Sequence, residues 1–181
     1  MSIMKIIILS TAIFLILLQN LSAQKSNIET AGDIGLIAVP VAALSITLFK
    51  GDKKGIWQFA KSFLLNQVIT FGLKRSINKR RPYNNGDYAF PSGHTSTTFQ
   101  AASFIHRRYG FKYSIPAYAV AGFTAFSRID AQKHDGWDIL AGAVIGIGST
   151  YIFTTAYEQE HLELTFNREG GSYLLGFQYK F

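Results

Sequence analysis

The stretch ILAGAVIGIGSTYIFTTAY, residues 139–157, has no charged residue in 19 positions. A helix of about 20 apolar residues crosses the hydrocarbon core of a bilayer, so this stretch predicts a membrane-spanning helix. Gly142 and Gly146 lie four positions apart, a spacing that lets a second helix approach closely. We interpret this pair as tight packing within the chain rather than as a dimerisation motif.

Four further segments predict helices, and together they indicate an all-α bundle embedded in a membrane. Residues 34–49 carry no charge over 16 positions and contain Pro40, so they fit either a short span or a buried core helix. Residues 56–73 repeat apolar side chains at three- and four-residue steps, with polar residues between them that indicate an interior stripe. Residues 94–107 and 114–127 also have helical patterns.

The two ends of the chain differ from this helical middle. Residues 1–23 have an early Lys5, an apolar run and small residues near Ala23, which predicts a secretory signal peptide; an uncleaved first membrane helix is the alternative. Apolar and polar residues alternate on both sides of Gly170 and Gly171, which predicts a C-terminal β-hairpin. The expected division is a signal peptide at 1–23, a helical domain at 24–157 and a hairpin tail at 158–181.

Composition narrows the class of protein. Hydrophobic residues make up 48% of the 181 residues and charged residues 16%, and there is no Cys. The lack of Cys excludes disulfides, thiolate metal sites and thiol nucleophiles. The net charge of +7 suits nucleic acid, anionic lipid or a phosphorylated substrate, and the positions of the cations must distinguish these partners.

The cations predict an orientation in a bacterial envelope membrane, with the polar loops facing the periplasm or exterior. If the chain is exported from residue 24, the turns at 50–55 and 107–113 lie inside and hold Lys50, Lys53, Lys54, Arg107, Arg108 and Lys112, as the positive-inside tendency requires. Segment 74–81 lies outside yet also holds five cations. We interpret Arg75, Lys79 and Arg80 as a surface patch that touches lipid headgroups, and we expect Lys74 and Arg81 to be functional.

Three polar segments interrupt the helices at the same end of the predicted bundle. They are KRSINKRRP at 74–82, PSGH at 91–94 and SRIDAQKHDGWD at 127–138. From them we select two histidines, one carboxylate and three strong cations as candidate site residues: His94, His134, Asp138, Lys74, Arg81 and Arg128. This set of side chains fits phosphoryl transfer, because fixed positive charge stabilises the equatorial oxygens of the transferred group.

The remaining residues of these segments fit an anion site. Gly93 lets the backbone approach a ligand, the helix start at 94 offers N–H groups, and Ser92 adds a hydroxyl. One histidine can attack phosphorus while the other protonates the departing oxygen. Asp138 follows His134 at a spacing that lets it orient the imidazole, although such a pair can also be a simple helix-surface contact.

A Zn²⁺ site is the competing use of the two histidines and the carboxylate. The three surrounding cations would repel a divalent ion, so we expect no metal and no other cofactor.

These motifs resemble a known family. Lys74-x6-Arg81-Pro82, Pro91-Ser92-Gly93-His94 and Ser127-Arg128-x5-His134-x3-Asp138 are similar to the type 2 phosphatidic acid phosphatase (PAP2) superfamily, over about a third of the chain. That superfamily includes lipid phosphate phosphatases, class A acid phosphatases and vanadium haloperoxidases, on a helical core. The resemblance implies that His134 is the nucleophile, Asp138 orients it and His94 is the general acid. It also implies that the phosphate is held by Lys74, Arg81, Ser92, Gly93 and Arg128.

The resemblance and the apolar helices together predict an enzyme that removes phosphate from a lipid in the membrane. The candidate substrates are phosphatidate, phosphatidylglycerol phosphate, a polyprenyl diphosphate and lipid A, and no nucleic-acid partner is expected. The alternatives are a soluble periplasmic acid phosphatase, a vanadium haloperoxidase and a non-catalytic protein that binds anionic lipid. The two histidines argue against the last, since lipid binding needs cations but no nucleophile.

Overall fold

Five α-helices followed by a β-hairpin form the part of the chain that the computed structural model describes, which is residues 27–84, 86–157, 162–169 and 172–179. The predicted signal peptide lies outside these ranges. The helices are α1 (Asn27–Phe49), α2 (Lys53–Ile77), α3 (Gly93–Tyr109), α4 (Phe111–Asp130) and α5 (Gly136–Phe153), and the strands are β1 (Leu162–Glu169) and β2 (Ser172–Tyr179). Each predicted helix is present, and the fold is mostly helical as expected.

Helix α3 is the central element, since it packs against each of the other four helices. The run of hydroxyl residues at its start, Thr95 to Thr98, is buried. These small side chains let the neighbouring helices approach, and their hydroxyls bind nearby groups, as when Thr98 Oγ1 donates to the His94 carbonyl at 2.9 Å. Such local bonding satisfies a hydroxyl without a partner from another helix.

The contact between α3 and α5 depends on two glycines. A Cβ on Gly142 would lie 2.6 Å from the Ser92 carbonyl oxygen, and one on Gly146 would lie 2.8 Å from the Gln100 nitrogen. Real Cβ atoms do not approach so closely, so both positions require glycine. The interpretation of this pair as packing within the chain is confirmed.

The outer surface of the bundle is apolar and much of its interior is polar. Exposed apolar side chains include Ile34, Val41, Leu64, Val68, Phe71, Phe126, Leu140 and Val144. Buried polar side chains include Thr47, Ser62, Asn66, Thr70, Ser96, Gln100, Ser103 and Thr150. Lipid provides no hydrophobic force that drives helices together, so membrane bundles use small and polar residues at their contacts. Among the described residues, α1 and α5 are long and apolar enough to cross a membrane, and α1 is 23 residues long instead of the predicted 16.

A buried ion pair joins the helices at the end of the bundle where α2 begins. Arg108 donates two hydrogen bonds of 2.7 Å to the Asp52 carboxylate, and Tyr109 donates another. Burial raises the pKa of Asp52, but these bonds and one from the Gly55 N–H outweigh it and hold the pKa below its usual range. Arg108, counted above among the cations of an inside turn, is therefore a buried residue of the core with a carboxylate partner.

The same cluster ends α5 earlier than the sequence predicts. The uncharged stretch runs to residue 157, but the helix ends at Phe153. Beyond it, Gln58 Oε1 accepts from the Thr155 N–H at 3.3 Å and Arg108 donates to the Thr155 carbonyl at 3.1 Å. These partners bind the backbone in a non-helical conformation, so the prediction of a helix through 157 is wrong at its C-terminal end.

The C-terminal hairpin is confirmed. β1 and β2 pair antiparallel, with Phe166 opposite Leu175 and Arg168 opposite Tyr173. Phe166, Tyr173, Leu175 and Phe177 are exposed, so one face of the hairpin is mostly apolar, with Arg168 lying over the Tyr173 ring on the same face. The predicted turn at Gly170 and Gly171 lies outside the described residues.

Candidate active site

A cavity of about 290 Å³ lies where α1, α3 and α5 begin and α2 and α4 end. It is lined by Glu29, Asp33, Lys74, Arg81, Gly93, His94, Arg128, Lys133 and His134. The three polar segments therefore meet, as their placement at one end of the bundle predicted. Of the predicted site residues, six line the cavity, while Ser92 and Asp138 lie behind it with fully buried side chains.

The start of α5 is built by a reciprocal cap that positions Asp138. The Asp135 side chain accepts from the N–H groups of Trp137 and Asp138, and Asp138 Oδ2 accepts from the Asp135 N–H at 3.0 Å. Such a capping box satisfies the unpaired donors of a helix start. His134 comes just before this cap and is not helical, so the pair with Asp138 is no helix-surface contact.

His134 and Asp138 face each other with 3.6 Å between Nδ1 and Oδ2, slightly longer than a hydrogen bond. Burial, together with the positive charges of Lys74 and Arg81, lowers the pKa of His134 to about 4, although the Asp138 carboxylate acts in the opposite direction. The imidazole is therefore neutral near pH 7, and a neutral imidazole is the form that has a lone pair for attack. With Nδ1 toward Asp138, Nε2 is the nitrogen on the other side of the ring.

Lys79 contributes to the site, contrary to the prediction that it belongs to a headgroup patch. Its ammonium donates to Asp138 Oδ1 at 2.8 Å and also to Asp135. Burial lowers the pKa of Lys79, but these hydrogen bonds outweigh it and hold the pKa above its usual value. Arg75 lies over the Tyr88 ring at 5.1 Å, and Arg80 is exposed, in agreement with their predicted surface position.

Arg128 is held firmly before any ligand arrives. Its side chain is almost fully buried, and it donates to Asp33 at 2.8 Å, to the Glu29 carbonyl at 2.7 Å and to Ser127 Oγ at 3.0 Å. A planar guanidinium fixed in this way presents its charge to the cavity without having to be ordered on binding.

The other cations and the start of α3 complete the wall of the cavity. Lys74 Nζ donates to the Tyr88 carbonyl at 2.8 Å, and the buried Nε of Arg81 has no hydrogen-bond partner. Gly93 and His94 begin α3, whose N-terminal N–H groups are a natural anion site. Ser92 caps this helix through its side chain, which accepts from Thr95, so its predicted phosphate contact stays a prediction.

Sequence reasoning missed Glu29, Asp33 and Lys133. Asp33 Oδ1 lies 2.9 Å from His94 Nε2, and Glu29 pairs with Lys133 at 3.1 Å. The two carboxylates are four positions apart just before the uncharged stretch of α1, so their spacing on one helix face was a usable signal. Four cations and two carboxylates line the cavity, and the excess of two positive charges matches a phosphate monoester, which carries about −1.5 to −2 at pH 7.

Comparison with known proteins agrees with this geometry. The model of the PAP2 superfamily matches residues 82–161. A lipid A 4'-phosphatase of Helicobacter pylori (strain J99) is 30% identical over 169 residues, which cover 84% of this chain and 85% of that protein. A lipid A 1-phosphatase of Porphyromonas gingivalis is 36% identical over 106 residues, which cover 55% of this chain and 24% of that protein.

The fold also has a solved counterpart. The crystal structure of Aquifex aeolicus LpxE superposes with a TM-score of 0.60 and 22% identity, over 76% of this chain and 92% of the other. At that identity the likeness concerns the fold alone. The helical core expected from the motifs is thus confirmed, and the sequence match over most of both chains shows that this protein belongs to the PAP2 superfamily and is a phosphatase of that type.

Proposed function

We propose that this protein removes a phosphate group from lipid A through a covalent intermediate on His134. The proposal rests on one observation: six predicted residues from three separate segments line one cavity with an excess of positive charge. The relatives whose names specify lipid A phosphatases support this choice among phosphorylated lipids.

An apolar groove next to the cavity supports a lipid substrate over a soluble one. This groove, of about 520 Å³, lies between α1, α2 and the start of α3. It is lined mainly by apolar residues, among them Leu36, Ile37, Pro40, Val41, Phe63 and Phe71. Lys74 and Gly93 line both the groove and the cavity. A phosphate bound at Lys74 would therefore have an apolar surface beside it for an acyl chain.

The first chemical step that we propose transfers the phosphoryl group to the enzyme. Nε2 of His134 attacks phosphorus, and the bond between phosphorus and the lipid oxygen breaks. The electron pair of that bond goes to the lipid oxygen, which takes a proton from His94. Lys74, Arg81 and Arg128 stabilise the charge on the equatorial oxygens.

The second step releases phosphate and restores the enzyme. A water molecule gives a proton to His94 while its oxygen attacks phosphorus. The bond between phosphorus and Nε2 breaks, and its electron pair returns to His134. No metal takes part in either step, so activity should survive chelators.

We also infer that the site faces the periplasm. Lys50, Lys53, Lys54 and Lys112 lie at the opposite end of the bundle, and such cations favour the cytoplasmic side. The chain contains no Cys, so single Cys variants report the side directly. Tyr83→Cys, at the site end, should react with an impermeant maleimide on intact spheroplasts, and Phe49→Cys at the other end should not; the reverse result would contradict this orientation.

The function is tested by incubating the purified protein in mixed micelles with lipid A or with each of the other phosphorylated lipids, and measuring the phosphate released from the lipid. Mass spectrometry of the lipid A product identifies which phosphate has left. Wild type should release phosphate and take up label from ³²P-labelled substrate, and His134→Gln should do neither. Equal release by the two proteins would refute the mechanism, and release from other lipids but not from lipid A would refute the substrate.

A further inference from the structure

Asp33 occupies an unexpected position for a carboxylate, inside a cavity suited to phosphate. It lies one turn beyond Glu29 on α1, outside all three motifs. Its Oδ1 atom is 2.9 Å from His94 Nε2 and 2.8 Å from Arg128 Nη1. One oxygen therefore contacts both the expected general acid and an expected phosphate ligand.

The geometry of this contact resembles that of a substrate oxygen. Arg128 and His94 are side chains that an incoming phosphate ester would contact, and both already face an anionic oxygen at hydrogen-bond distance. Asp33 is 31% exposed, so it belongs to the wall of the cavity and is not a core residue. Its place on a helix packed against α4 fixes it there, because Gly32 lies tightly against Ser127 and Arg128.

We propose that Asp33 is a positioning residue, whose carboxylate holds the His94 ring toward Arg128, keeps His94 protonated, and releases Arg128, but not His94, when the substrate phosphate enters. This inference rests on the proposed role of His94 as general acid. A general acid must hold its proton until the leaving oxygen departs. An adjacent carboxylate stabilises an imidazolium, whereas cations destabilise it.

The cations around His94 make such a partner necessary. The charged and titratable groups that line the same cavity from α1, α2, α4 and the connecting loops are Glu29, Lys74, Arg81, Arg128, Lys133 and His134. Cations are in excess among them, and they alone would favour loss of the His94 proton. Asp33 offsets this effect at the shortest distance. The same carboxylate competes with substrate, because both need Arg128.

The two effects predict that Asp33→Asn lowers both kcat and KM. This variant keeps the shape of the side chain and removes its charge. The alkaline limb of the pH–rate profile should move about one unit toward lower pH, so that kcat at any pH on that limb falls about tenfold. KM and the inhibition constant for orthovanadate should fall, because no carboxylate has to leave Arg128. A purely structural residue would not lower KM while lowering kcat.

The matched control is Asp130→Asn, since Asp130 is an exposed carboxylate at the end of α4. It removes the same charge near the same end of the bundle and should change neither kcat nor KM. Asp33→Glu retains a carboxylate and should restore the alkaline limb toward its wild-type position. Unfolding temperatures of all variants show whether each one folds.

A direct titration separates failure of this inference from failure of the proposed function. NMR of ring-labelled histidine follows the protonation of His94 whether or not the protein is active. The midpoint for His94 should fall by about one pH unit in Asp33→Asn and stay unchanged in Asp130→Asn. An unchanged midpoint in Asp33→Asn would overturn the role of Asp33, whereas a wild-type enzyme that releases no phosphate from any lipid would overturn the function.

Discussion

Replacement of Gly142 by Ala should both destabilise the protein and impair the site. The added Cβ would lie 2.6 Å from the Ser92 carbonyl oxygen, whereas ordinary contact begins at 3.4 Å, so the start of α3 must move away by about 0.8 Å. Overpacking of this kind destabilises by about 1–3 kcal/mol. Ser92 is two residues before His94, and its N–H donates to the Asp138 carbonyl at 2.9 Å. A shift of about 1 Å in a catalytic group can reduce the rate by about a hundredfold.

Gly148→Ala is the matched control, since a Cβ there meets nothing within 4 Å. Ala is favoured over Gly in a helix interior by about 1 kcal/mol, so this variant should be as stable as wild type or more so. The two variants are compared by thermal unfolding in detergent and by kcat/KM for the lipid substrate. If Gly142→Ala equals Gly148→Ala in both measurements, the close contact between α3 and α5 does not position the site.

Three further predictions concern the groove, the ion pair behind the nucleophile, and the nucleophile itself. Ile37→Trp, which fills the groove, should lower kcat/KM for a long-chain lipid phosphate about tenfold, equivalent to about 1.4 kcal/mol, and should leave the rate with p-nitrophenyl phosphate unchanged. Ile34→Trp, on the same helix but outside the groove, should change neither rate. Equal losses in both variants would show that the groove does not bind the lipid. Lys79→Met removes the hydrogen bond to the Asp138 carboxylate behind the nucleophile and should lower kcat about tenfold to a hundredfold. Arg80→Met, which loses an exposed cation, should retain full activity. A wild-type rate in Lys79→Met would show that the ion pair is dispensable. His134 should titrate near pH 4 by NMR, since burial and neighbouring cations lower its pKa to about 4. The ring is then neutral above that midpoint and becomes charged only below it. A midpoint near the usual histidine pKa of about 6.5 would contradict the electrostatics of the cavity.

The residues of the three motifs were predictable because phosphate chemistry restricts which side chains can serve. Lys74, Arg81, His94, Arg128 and His134 were identified from residue type and spacing, and all five line one cavity. Ser92 was assigned to the phosphate for the same reason, but its side chain caps α3. A hydroxyl at a helix start serves as a cap or as a ligand, and spacing alone does not distinguish these uses.

A helix boundary can be predicted from the local sequence only where no residue from a distant part of the chain binds the backbone at that point. The cap at Asp135 begins α5, and such a cap is encoded within a few residues. The end of α5 is different, because Gln58 and Arg108, far away in the chain, bind the backbone at Thr155. An uncharged stretch cannot show where such partners will meet it.

The sequence by itself determined the helical class, the apolar surface, the chemistry of the motifs and the hairpin, because each depends on residue type and short-range periodicity. Only the tertiary structure revealed the partners that come from elsewhere in the chain: Asp33 beside His94, and Lys79 beside Asp138. By residue type, neither can be distinguished from an ordinary surface charge. Each has its role because it contacts a residue about 60 positions away in the chain. Electrostatic interactions depend on distance and burial, and both quantities exist only once the helices have packed.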